Sequence, residues 1–317
     1  MKAAVLYKFG GPDELMVRNV AIPSIGDNDV LIKVAYAGVG QWDIFEREGG
    51  YDKMLELNSK FPFILGSEGS GVIYAKGKNV DNFVIGDKVY ATGFLNPTGG
   101  FYAEFVAIDS KYVSIIPESI TLQEVSVISG AGLTALRGLE DVLGVNKNES
   151  ILILGASGGV GHLAVQFAMN KGARVFAVAS GEDGVAMVRK LGVEAVVDGR
   201  RDDVLSATSK FAPTGFDAAL FTTGGELANS LVQCIRTGGR IAYPNGIYPI
   251  PESRSDISLT GYNGEPEPEI LQRINNLISS GKIKAHIDQV FLLEDAYKAH
   301  LALNHHYLGK LCLQVSY

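Results

Sequence analysis

The sequence predicts an α/β protein, with a doubly wound parallel sheet preceded by a smaller β-rich unit. Three observations carry this. The continuous apolar stretch Ile151-Leu152-Ile153-Leu154 runs straight into a glycine-rich turn. Beyond it, apolar strands alternate with amphipathic helices, a pattern that requires parallel pairing through right-handed crossovers. Before it, about the first 120 residues read as short strands broken by Gly, Asn and Asp clusters.

In the N-terminal part, Val30 to Ala37 is β-rich and bounded by Gly26-Asp27-Asn28-Asp29 and by Gly38. Gly71 to Ala75 and Asp87 to Ala91 are similar, and Phe101 to Ala107 alternates apolar residues with Ala and Glu. After the Ile151 strand, Ala164, Val165, Phe167 and Ala168 supply an apolar helical face. Ala173 to Ala179 is a second strand and Val185 to Leu191 a second helix. Glu194 to Asp198, Phe216 to Phe221 and Arg240 to Tyr243 continue the series. Past Glu265-Pro266-Glu267-Pro268, the spacing of Ile270, Leu271, Ile274, Leu277 and Ile278 predicts a helix. Lys284 to Phe291 and Lys310 to Val315 are strand-like again.

Composition narrows the function classes. A chain of 317 residues, 46% hydrophobic and 20% charged, has the balance of about two globular domains and excludes disorder. With 28 Lys+Arg against 35 Asp+Glu, the net charge of −7 argues against a nucleic acid or an anionic membrane as partner. No apolar run approaches the roughly 18 residues of a membrane span, and the apolar start is too short for a signal peptide. Cys234 and Cys312 stand too far apart in sequence for a disulfide framework. A cytoplasmic location is expected.

The strongest chemical signal is Gly155-Ala156-Ser157-Gly158-Gly159-Val160-Gly161. Within it, Ala156, Gly158 and Gly161 match the A/G-x-G-x-x-G fingerprint between a strand and a helix. A small residue permits the tight turn, Gly158 lets backbone approach a pyrophosphate, and Gly161 packs helix on strand at a helix N-terminus that favours anions. An NAD-specific unit carries a carboxylate about 20 residues on; here that point is Ala179-Ser180. Ser180 can donate to a ribose phosphate, and Arg200 and Arg201 follow the third strand, whereas Glu182 and Asp183 pull the other way. The reading favours NADP(H), with NAD(H) as the alternative. Thr222 and Thr223, and Asn245 after Tyr243-Pro244, follow strands whose carboxyl ends line such a site.

With this loop in place, the whole chain resembles the medium-chain dehydrogenase/reductase superfamily, in its zinc-independent quinone oxidoreductase branch. The resemblance runs from Ala3-Ala4-Val5 through Gly66-Ser67-Glu68-Gly69-Ser70-Gly71-Val72, Gly86-Asp87-Lys88-Val89 and Gly132-Leu133-Thr134-Ala135. It continues through Gln166, Lys171-Gly172-Ala173, Gly238-Gly239-Arg240, Ser280-Gly281-Lys282 and Gly309-Lys310-Leu311. It implies a GroES-like substrate domain, residues 1–124 with 268–317, around an inserted Rossmann domain, residues 125–267. It also implies a homodimer or dimer of dimers, and it places Thr134 near the nicotinamide.

Zinc-dependent relatives hold a catalytic metal on a Cys, a His and a second Cys. The corresponding first positions here are Gly40 and Ser67, and no Cys is available for the third. Structural zinc is equally unsupported, because no Cys lies between Tyr90 and Phe105. No metal is expected. The branch's G-V-N-x-x-D segment reads Gly38-Val39-Gly40-Gln41-Trp42-Asp43, keeping the Asp and gaining an indole. Trp42 and Tyr51, and more weakly Tyr262, are candidates to stack on a substrate ring. Asp43 and Arg47, spaced i,i+4, are expected to pair on a helix surface, and no general acid is identified. The resemblance implies a zinc-independent, NADPH-dependent reductase of quinones or α,β-unsaturated carbonyls. The alternatives are an alcohol dehydrogenase of the same superfamily, or a non-catalytic NADPH-binding regulator or RNA binder.

Overall fold

The computed structural model describes residues 1–281 and 283–316; Lys282 of the Ser280-Gly281-Lys282 segment lies outside them. The chain divides into two compact units, Met1–Gly130 with Pro266–Tyr317, and Ala131–Glu265.

Among the described residues, the Ala131–Glu265 unit holds a six-stranded sheet in which every neighbouring pair is parallel. Its order is Ala195–Asp198, Arg174–Ala179, Ser150–Leu154, Phe216–Phe221, Ile235–Pro244, Ser258–Tyr262. The chain steps outward from Ser150–Leu154 on one side, then returns to pair Phe216–Phe221 on the other. Strand order therefore reverses where the glycine loop leaves Leu154, the position at which such sheets open a ligand crevice. Helices Gly159–Asn170, Gly181–Lys190, Val204–Phe211 and Glu226–Val232 form crossovers. Because helices cover the sheet, Ser150–Leu154 is buried at every position. Cys234 lies just past the helix Glu226–Val232, and Tyr262 ends the edge strand Ser258–Tyr262.

The other unit is antiparallel in most of its pairings. Its seven-stranded sheet begins with the parallel pair Ile287–Leu292 and Lys310–Gln314. Next come, each antiparallel to the last, Asp29–Val39, Glu68–Lys76, Lys88–Thr92 and Val113–Ile115. Phe105–Asp109 pairs with the first half of Asp29–Val39, and the C-terminal strand takes its second half, with Leu311 opposite Val39. Each half of one long strand thus finds a partner from a distant part of the chain. A three-stranded sheet of Met16–Asn19, Lys2–Leu6 and Phe63–Ile64 completes the unit. Its core gathers Val30, Ile32, Val34, Phe101, Leu311 and Leu313. No helix among the described residues is long and apolar enough to cross a membrane.

Phe216 is fully buried, with ring centroids 5.8 Å from both Phe176 and Phe211. Phe216→Ala is expected to cost the Ala131–Glu265 unit about 3–5 kcal/mol, read as an earlier unfolding transition in urea.

Candidate functional site

The glycine loop is built by three distinct constraints. Gly155 turns the chain with φ +80°, and a Cβ there would lie 2.3 Å from Thr222 Oγ1. Gly161 is required by contact, since a Cβ would stand 2.1 Å from the Gly155 carbonyl oxygen. Gly158 is different: it is extended, and an added Cβ would meet only the Gly155 carbonyl oxygen, at 3.4 Å. The protein leaves the space beside Gly158 open. Gly155 and Ala156 donate their N–H groups to the Val178 carbonyl at 3.1 and 2.9 Å, anchoring the loop on the neighbouring strand. Ser157 is buried and its Oγ accepts from the Ser180 N–H at 3.2 Å. Gly159, Val160 and Gly161 form the first turn of a helix with no side-chain cap, so a ring of N–H groups is presented there.

Ser180 caps the next helix, Gly181–Lys190, without a side-chain cap bond. One oxygen of the buried Asp198 carboxylate accepts from Gly181 N–H at 3.0 Å and from Arg200 N–H at 2.9 Å. These N–H groups hold Asp198 below the usual carboxylate range. The Arg200 side chain is exposed, and Arg201 pairs with Glu182. On the far side of the reversal, Thr222 is half-buried and donates its hydroxyl to the Leu154 carbonyl at 2.9 Å, whereas Thr223 is exposed. Asn245 lies at the end of Ile235–Pro244, its N–H donating to the Tyr262 carbonyl at 2.7 Å and its side-chain amide to Asn263 at 2.8 Å. The fold thus brings the loop, Ser180, Thr222 and Thr223 to the carboxyl ends of adjacent strands.

Tyr262 is a correction. It is buried in the Ala131–Glu265 unit and its hydroxyl donates to the Thr134 carbonyl at 2.9 Å, so ring and hydroxyl are both committed to the interior.

In the Met1–Gly130 and Pro266–Tyr317 unit, Glu68 and Lys310 form an ion pair at 2.7 Å with side-chain exposures of 0% and 3%. The other Glu68 oxygen accepts from Gly130 N–H at 2.6 Å and from the Ser129 hydroxyl at 3.2 Å. The Lys310 ammonium also stands 4.0 Å from the centroid of the Trp42 ring. This cluster explains two glycines. A Cβ on Gly38 would fall 2.5 Å from Glu68 Oε1, and one on Gly40 would fall 2.6 Å from the Trp42 ring. Tyr51 is half-buried between Phe45 and Phe94, edge-to-face at 4.7 and 4.9 Å, and burial pushes its hydroxyl up to about 12.

Asp43 and Arg47 do not pair on the helix surface. The helix Gln41–Arg47 turns Asp43, Glu46 and Arg47 inward, so the i,i+4 spacing marks its buried face. Asp43 accepts from Gly40 N–H at 2.7 Å and from the Tyr102 hydroxyl at 3.2 Å. Arg47 donates to the Gly10 carbonyl at 2.9 Å and to His300 Nδ1 at 3.0 Å. Burial, aided by the Arg47 charge, drives His300 down to about 3, so the ring is neutral and able to accept. Burial pushes Asp43 up to about 7 against the pull of Gly40 N–H and Lys310, and Glu46 up to about 8. Cys312 is buried and its thiol is pushed up to about 12, while Cys234 is half-buried; both are free.

Sequence reasoning found the loop but missed Gly155 as its left-handed turn residue. It noted Glu68 and Lys310 in separate motifs without pairing them. The neighbouring Gly38 and Gly40 were the available signal, since glycine at a strand end makes room for something large.

The comparisons agree with this architecture. Residues 26–118 match the family described as alcohol dehydrogenase GroES-like domain, and residues 159–253 match zinc-binding dehydrogenase. The human quinone oxidoreductase is 31% identical over 76% of this chain and 72% of its own length. The chloroplastic NADPH-dependent alkenal/one oxidoreductase of Arabidopsis thaliana is 28% identical over 91% and 72%. The solved structure of the quinone oxidoreductase from Coxiella burnetii superposes with a TM-score of 0.88, at 30% identity, over 100% of this chain and 99% of that one. The chain belongs to the medium-chain dehydrogenase/reductase superfamily, in its quinone oxidoreductase branch. It is an NAD(P)H-dependent oxidoreductase with a GroES-like unit and a Rossmann-like parallel sheet.

Because Asp43 and Glu46 are raised, the folded chain holds protons that the unfolded chain releases near 3.8 and 4.5. The resulting stability is fully present below those values and is lost as pH rises through about 7 and 8. Glu46→Gln is expected to flatten that fall, gaining roughly 1–3 kcal/mol at pH 8 relative to wild type in urea unfolding at pH 5 and pH 8.

Proposed function

We propose that this protein reduces quinones or α,β-unsaturated carbonyl compounds with NADPH and without zinc. The observation that carries the reading is the donor set where a catalytic metal would stand. The space for a side chain at Gly40 is filled by the Trp42 ring, and the next position is Ser67. Among the described residues there is no group of three or more His, Cys, Asp or Glu able to hold a metal ion. These residues do not fit zinc, which takes three or four N, S or O ligands. A conjugated acceptor needs no metal to polarise an alcohol oxygen, which makes quinones and enones the chemistry consistent with this site. The names of the human and Arabidopsis relatives support the same classes.

The residues of the glycine loop fit a dinucleotide. The open space at Gly158 admits a pyrophosphate to backbone distance, and the uncapped N–H groups of Gly159, Val160 and Gly161 can receive its charge. Bound nicotinamide supplies the hydride; the chain's part is to bind, orient and exclude water. Thr134, Thr222, Thr223 and Asn245 are proposed to line the cofactor. Ser180 and Arg200 are proposed to recognise the ribose phosphate, a role supported by the absence of a carboxylate at position 180 and by the exposed guanidinium. Trp42 and Tyr51 are proposed to contact substrate. The reading includes a homodimer or dimer of dimers in the cytoplasm, with a small molecule rather than nucleic acid or membrane as partner.

The test is a titration of NADPH against NADH, followed by quinones, enals and alcohols in metal-free buffer. NADPH oxidation by quinones or enones is expected. Intact cofactor binding with no turnover, or one equivalent of bound zinc with alcohol oxidation, overturns the proposal. Gly161→Val is expected to abolish dinucleotide binding, measured by NADPH fluorescence, because the new side chain displaces the Gly155 carbonyl. Ser180→Asp is expected to weaken NADPH about tenfold or more while sparing NADH, since a carboxylate repels the ribose phosphate.

A further inference from the structure

Lys310 reaches its place by strand register. With Leu311 opposite Val39, the lysine lies at the level of Gly40, with the strand Asp29–Val39 standing between its own strand and the one that carries Glu68. Both charges are removed from water, an arrangement that seldom adds net stability when compared with apolar residues of similar volume. The pair therefore calls for another explanation, and the geometry points to Trp42. The indole belongs to the seven-residue helix Gln41–Arg47 and is only half-buried. Its N–H is buried with no acceptor among the described residues, so a hydrogen bond does not orient the ring. The ring is instead bounded by Gly40 at one side and approached by the Lys310 ammonium at 4.0 Å from its centroid. A desolvated cation over an indole face is the strongest form of this contact, and it fixes the plane of the ring. Glu68, tied to Gly130 N–H and the Ser129 hydroxyl, fixes the ammonium in turn.

We propose that Lys310, held by Glu68, is a positioning residue that sets the plane of Trp42 as a rigid platform, and that this platform makes the protein prefer flat ring quinones over open-chain enones. The inference rests on the substrate class proposed above and names which member of that class the site selects. An aromatic face held in one plane loses little freedom when a second flat ring stacks on it, so preorganisation appears as selectivity for planar acceptors. An open-chain enone offers less face and benefits less.

Trp42 is the only tryptophan in the chain, so intrinsic tryptophan emission reports the platform alone. The probe is menadione, a naphthoquinone, added to protein loaded with NADP+ so that no turnover occurs. Saturable quenching of Trp42 is expected in the wild type. The Glu68→Gln/Lys310→Met double variant removes both charges without orphaning either. It is expected to weaken that quenching and raise KM for menadione about fivefold, while kcat and KM for methyl vinyl ketone move less than about twofold. Lys310→Arg, which keeps a cation over the ring, is expected to restore most of the quenching. Equal changes in KM for both acceptors, or unchanged emission and KM, overturn the proposal. Should the double variant fail to fold, Trp42→Leu decides: loss of the menadione preference supports the platform, and an unchanged ratio of the two KM values overturns it. If the wild type turns over neither acceptor, the functional reading fails, and the quenching titration still judges the platform: absence of saturable quenching refutes it.

Discussion

The Glu68–Lys310 contact is the constraint around which the first unit is organised. Two opposite charges at 2.7 Å, both closed to water, demand hydrogen-bond donors for the carboxylate and clear space around its oxygens. Ser129 and Gly130 meet the first demand through a hydroxyl and an N–H. Gly38 meets the second, because any side chain there would collide with the carboxylate. The C-terminal strand must pair with Tyr36–Val39 in one register, since a slip by one residue would turn Lys310 to the opposite face of the sheet. One ion pair thereby constrains a strand end, a helix N-terminus and the last strand of the chain.

In the second unit the corresponding constraint is steric. The Gly155 carbonyl stands so close to Gly161 that only a hydrogen fits between them, which draws the helix Gly159–Asn170 against the end of Ser150–Leu154. The consequence is chemical as well as geometric. A helix N-terminus with no side-chain cap is delivered to the point where strand order reverses, and its first N–H groups face a space that Gly158 leaves open. Close packing and open space beside the helix start are provided by different glycines of one loop.

The buried polar cluster of Asp43, Glu46, Arg47, His300 and Tyr102 adds a second cost to the first unit. Arg47 and His300 solve it by hydrogen bonding a guanidinium to a neutral imidazole. Asp43 solves it only in part, with one oxygen bonded to Gly40 and Tyr102 and the other without a hydrogen-bond partner among the described residues. Such an arrangement links the protonation of a buried carboxyl to the helix that presents Trp42.

The sequence by itself determined the class of fold and the glycine loop, because both depend on neighbours in the chain. Ile151 to Leu154, the turn at Gly155 and the apolar face through Phe167 are local patterns, and a parallel sheet follows from their repetition. Asp43 and Arg47 show where local reasoning stops: their spacing was legible, but whether that face of the helix met water or core was decided by Tyr102 and His300, which arrive from elsewhere. Tyr262 misled for the same reason. Only the tertiary structure decided that Lys310, near the end of the chain, meets Glu68 and Trp42, since the register of nonlocal strands sets which side chains share a face. A charge buried by distant strands leaves no periodic trace in its own segment.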